Sequence, residues 1–152
     1  MDFVIAGLQG AGLALAAGAF FGAAGQRDVP GAVLAVCAVA AGAYLWGLSL
    51  TSDFGVADVA DDDHPAWPGW LVGGLFAIAS YNIWRGVSAA AGSREGAGAG
   101  IALFIAGGAV LAGALSIVLP FWGALVIVAS ISLALGRRRR AGEKYEGLRS
   151  LR

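Results

Sequence analysis

Residues 3–24, FVIAGLQGAGLALAAGAFFGAA, pass without one charged side chain, and residues 30–52, PGAVLAVCAVAAGAYLWGLSLTS, do so again. No other feature limits the fold of this chain as much. Runs of roughly 18 or more apolar residues have the length of a membrane-crossing helix. A backbone in hydrocarbon must also pair its amides within its own segment. The runs therefore predict helices, at 3–24, 30–52, 68–90, 98–119 and 121–136. The last two are parted only by LPFWG and joined would be too long for one crossing of a ~30 Å hydrocarbon core. Pro120 has no N–H and disfavours helix in the residue before it, so a tight turn is expected there.

Composition agrees. Of 152 residues, 59% are hydrophobic and 13% charged, where a soluble domain carries roughly 25% charged residues. The expected class is an all-α integral membrane protein of five transmembrane helices. One transmembrane domain fills 1–136, and a basic tail occupies 137–152. The first run has no basic residues before it and is longer than a signal-peptide core, so it is read as a retained helix. Cys37 is the single cysteine, which excludes an internal disulfide.

The chain also resembles itself. Sliding it until Arg27 meets Arg94 brings Asp28 onto Glu95, Leu48-Ser49 onto Leu115-Ser116 and Phe54 onto Phe121, with no gap. The phrases GQRDVPGA and GSREGAGA then mark two equivalent turns. This predicts a duplicated two-helix hairpin, repeat 1 at about 3–54 and repeat 2 at about 70–121, plus a fifth helix at 121–136. Two spans per repeat leave both copies in one orientation, the parallel kind of repeat.

Charge sets the direction. In a five-span chain every basic residue falls on one side: Arg27, Arg85, Arg94, Arg137, Arg138, Arg139, Arg140, Lys144, Arg149 and Arg152. The other side receives Asp2, Asp53, Asp58, Asp61, Asp62 and Asp63. The positive-inside rule places the basic side in the cytoplasm and the N-terminus and the acidic 53–67 loop outside. Arg27, Arg94 and Arg137 to Arg140 are the expected contacts with anionic lipid headgroups, since juxtamembrane arginines are attracted to that surface. The tail carries Tyr145, Leu148 and Leu151 at every third residue, a short apolar stripe suited to the membrane surface.

Chemistry-bearing residues are few. The acidic loop ends in Asp61-Asp62-Asp63-His64, but consecutive residues rarely point at one ion, and a solvated loop is expected. Trp46, Trp67, Trp70 and Trp122, with Tyr44, Phe54 and Phe121, gather at the outer interface as an aromatic belt. Helix three carries SYNIWRG, and Tyr81, Asn82 and Arg85 form a candidate polar membrane site; polar groups at such depth either serve function or join helices. Rows of small residues at four-residue spacing are candidate packing seams: Gly10, Ala14, Gly18 and Gly22 in helix one, Gly69, Gly73 and Ala77 in helix three, and Gly108 and Ala112 in helix four.

The sequence holds no phosphate-binding glycine loop, no HExxH, no CxxC, no GxSxG and no paired histidines. No catalysis, cofactor, metal or nucleic-acid partner is expected. Two functions fit. One is a non-catalytic accessory or scaffold subunit of a membrane assembly, homo-oligomeric or joined to partner membrane subunits. The other is a small ion or solute channel or transporter, lined by helix three. No acidic residue lies within any predicted span, which favours the first.

Overall fold

A computed structural model describes residues 2–24, 30–51, 66–92 and 98–149. Among these the chain forms five helices and no strand: α1 (Asp2–Ala24), α2 (Gly31–Thr51), α3 (Trp67–Gly92), α4 (Gly98–Val118) and α5 (Pro120–Arg149). The helix starts follow local chemistry. The Pro30 carbonyl accepts the Val33 and Leu34 amides at 2.9 and 3.4 Å and so opens α2. At the other break, the Leu119 amide closes α4 on Leu115 O at 2.7 Å, and the Trp122 amide then turns onto Leu119 O at 2.8 Å. Pro120 thus sits at the first position of α5, where its missing N–H costs nothing.

Three helices are long and apolar enough to cross a membrane: Val4–Ala24, Gly31–Thr51 and Ala99–Val118. α3 has the length, 26 residues, but Ser80, Tyr81, Asn82, Arg85 and Ser88 dilute its apolar character. The apolar part of α5, Phe121–Gly136, is shorter. The helix itself does not stop there; it runs through the four arginines to Arg149. Arg, Ala, Glu and Lys are good helix formers, so the end of the apolar run marks a change of surface, not the end of the helix.

α1 is the hub. It packs against α2, α3, α4 and α5, whereas α3 and α4, and α4 and α5, touch only slightly. Its residues Ala11 to Ala16 are all buried, which explains why it is so rich in Gly and Ala. In an apolar medium, close backbone approach is what holds helices together. α1 and α3 run parallel: Gly18 lies against Ala77 and Ser80, and Gly22 one turn on lies against Tyr81 and Arg85. α2 and α4 run antiparallel to α1, since Gly10 meets Trp46 and Ser49 of α2, and Gly12 and Gly113 meet Ser116 and Ala16 respectively. α5 begins with Gly123 against the Leu8 carbonyl and runs along α1.

The seams foreseen in α1 and α3 are therefore internal. Side chains at Gly10, Gly18, Gly22, Gly69 or Gly73 would each collide with a neighbouring helix of the same chain. Gly108 in α4 differs, with open space around it. The two hairpins do not repeat their packing: α1 and α2 lie together, whereas α3 and α4 each lie on α1. Ser49 and Ser116, which the self-alignment of the sequence pairs, are both buried against α1 glycines, Gly10 and Gly12.

Candidate functional site

The bundle has two chemically distinct ends. At one, α1 and α3 begin and α2 and α4 finish, and here Trp46, Trp67, Trp70 and Trp122 gather with Tyr44 and Phe121. Trp46 is partly buried over Ala6 and Leu50, and its ring meets Phe76 edge-on at 5.2 Å. Trp67, Trp70, Tyr44 and Phe121 are exposed. An apolar cleft of about 420 Å³ opens between α2 and α3, with Tyr44, Gly47, Thr51 and Trp70 among its walls. The Thr51 hydroxyl is turned back onto Gly47 O at 3.1 Å. The acidic residues Asp53, Asp58, Asp61, Asp62 and Asp63, together with Phe54 and His64, lie outside the described residues.

At the other end stands the polar part of α3, and the structure divides the three residues expected to act together. Successive residues on a helix are turned by about 100°, so Arg85, one turn on, stays over Tyr81, whereas Asn82 turns away from Tyr81 to an exposed side. Tyr81 is buried in a cluster with Leu34 and Ala38, flanked by Phe21 and Ile78. Its hydroxyl donates to Gly31 O of α2 at 2.7 Å. The exposed Arg85 places its guanidinium carbon 5.8 Å from the centre of the Tyr81 ring, a cation–π distance. The same guanidinium covers Gly31, where an added Cβ would lie 2.6 Å from it. Asn82 is exposed and bonds within its own helix, Nδ2 to Ile78 O at 2.9 Å.

Interhelical joining falls to other side chains. The buried Ser80 hydroxyl donates to Leu15 O of α1 at 2.7 Å. Gln9, fully buried, donates through Nε2 to Ile117 O of α4 at 2.9 Å. Sequence reading passed over Gln9, although it is the one strongly polar residue between Phe3 and Phe21. That isolation is the signal that marks it. Of the expected headgroup contacts, Arg27 and Arg94 lie outside the described residues. Arg137 to Arg140 all lie on α5, with Arg139 exposed.

Comparison with family models, with curated proteins and with solved structures finds no match.

Proposed function

We propose that the chain is a multi-pass protein of the cell membrane with five spans, N-terminus outside and basic tail in the cytoplasm. In this reading it serves as a non-catalytic accessory or scaffold subunit of a membrane assembly. The observation that carries the proposal is how its interior polar groups are used. Gln9, Ser80 and Tyr81 each bond a backbone carbonyl of another helix. The glycine contacts around α1 bring backbones together where a pathway would need an opening. These are devices for joining helices. Meanwhile Leu103, Phe104, Val110 and Leu111 leave a face of α4 apolar and exposed, suited to lipid or to a neighbouring span.

Charge supports the orientation. The tryptophan-rich end adjoins the acidic connector, and the end bearing Arg85 adjoins the connectors that hold Arg27 and Arg94. Helices α3 and α5 enter the five-span reading with help from their flanks. Arg85 is exposed near the end of α3, and Arg137 follows the apolar part of α5 directly, so both can extend their charge toward the headgroups.

The test is gentle isolation from the native membrane, followed by quantification of what copurifies and by flux assays of the isolated form in liposomes. A membrane subunit recovered at fixed stoichiometry, with no flux above empty vesicles, is the expected result. A lone homo-oligomer that passes ions or solutes would replace this reading with a channel or transporter.

A further inference from the structure

Gln9 Oε1 on α1, an acceptor, and Trp122 Nε1 at the start of α5, a donor, are buried and have no protein partner. They belong to residues that flank one contact. Leu8 O, next to Gln9, packs on Gly123, next to Trp122, and Gly12 lies against both Ser116 and Gly123. The turn supplies further acceptors. Pro120 offers no N–H to the Ser116 carbonyl four residues back, and the Trp122 amide bonds Leu119 O rather than Val118 O. Gln9 Nε2 satisfies one carbonyl of this helix end, Ile117 O, and in doing so holds its own Oε1 in the interior.

We propose that this corner of the bundle is a binding site for a single water molecule, which accepts from Trp122 Nε1–H and donates to Gln9 Oε1 and a free carbonyl of α4. The inventory selects water. The acceptors need donors, and the indole needs an acceptor; water supplies both. A metal cation would satisfy the oxygens but would face the positive edge of the indole N–H. A larger ligand would meet the glycine-mediated contacts of Leu8, Gly12 and Gly123. The site fastens the α4–α5 turn to α1 at the point where Pro120 has broken the backbone ladder.

The experiment is a double-mutant cycle on the full chain in bicelles, with Trp122→Phe and Gln9→Met. Trp122→Phe is expected to weaken the folding equilibrium roughly threefold to thirtyfold, the range of a hydrogen bond between membrane helices. In the Gln9→Met background the same change should cost much less. A neutral or stabilising Trp122→Phe, or two additive effects, would overturn the proposal. The wild-type protein, with its indole nitrogens labelled, gives a second reading that does not depend on the variants folding. The Trp122 Nε1–H resonance should show magnetisation transfer from a long-lived water. Transfer from the Gln9 side chain alone would mean a direct bond and no water site. Replacing sodium and potassium by choline should leave stability unchanged; stabilisation by either ion would make this a cation site instead.

Discussion

Ser80 and Asn82 lie two positions apart on α3, yet their removal should have different consequences. Ser80→Ala deletes the bond to Leu15 O across the α1–α3 seam. We expect a loss of about 0.6–2 kcal/mol, read from reversible unfolding in detergent or bicelles. Asn82→Leu deletes only a bond to Asn82's own helix, on an exposed side. Folding of the isolated chain should change by less than about 0.5 kcal/mol, as for other outward positions. If Asn82→Leu abolishes flux or releases a partner while folding is intact, that exposed amide is what the neighbour reads. Sequence reading groups Asn82 with Tyr81 and Arg85 as one polar site and leaves open whether such groups serve function or join helices. It missed Ser80 and Gln9 because burial depends on which helices flank a position, and no single helix carries that information. Tyr81 and Arg85 were legible as neighbours, since positions four apart on a helix share a face.

Among the elements, the seams and the exposed glycines make opposite predictions from the same substitution. Gly18→Ala would drive a methyl group into the Ala77 carbonyl and to within 2.8 Å of Ser80 Cβ. Backbone atoms cannot swing aside, so the α1–α3 seam must open, at about 1–3 kcal/mol or more. Gly108→Ala meets nothing, and removing a helix glycine should stabilise α4 by about 0.5–1 kcal/mol. Thermal unfolding of the two variants side by side checks both signs. A tolerated Gly18→Ala would mean that the seam is looser than described. Four-residue spacing identified the rows in α1 and α3, but Gly108 in α4 belongs to a row of the same spacing and has open space around it among the described residues. Helix starts and stops were also legible, because Pro30, Pro120 and the apolar boundaries act through local sterics. The exception is the end of α5, where arginines sustain the helix well past the apolar run that ends at Gly136.

The orientation proposed for the molecule as a whole is one that a labelling experiment reads directly. In a Cys37→Ser background, a cysteine in place of Asp58 should react with an impermeant thiol reagent on intact cells, and one in place of Lys144 should not. The reverse pattern would invert the bundle, and reaction at both sites would leave an even number of spans between them and remove the fifth crossing. The distribution of charge was plain in the sequence, whereas the centre of the bundle was not. Every long apolar helix is a candidate for the middle, and only the assembled packing shows that α1 occupies it. That arrangement has a consequence in time. α1 precedes the four helices that pack on it along the chain, so on the proposed membrane reading it is made and inserted before α2 to α5 are there to cover it. On that reading its glycine-lined faces and Gln9, buried in the finished bundle, stay uncovered by their own chain until α4 and α5 arrive. The interval is set by translation, and its length makes the half-made chain the form most open to capture by the wrong neighbour.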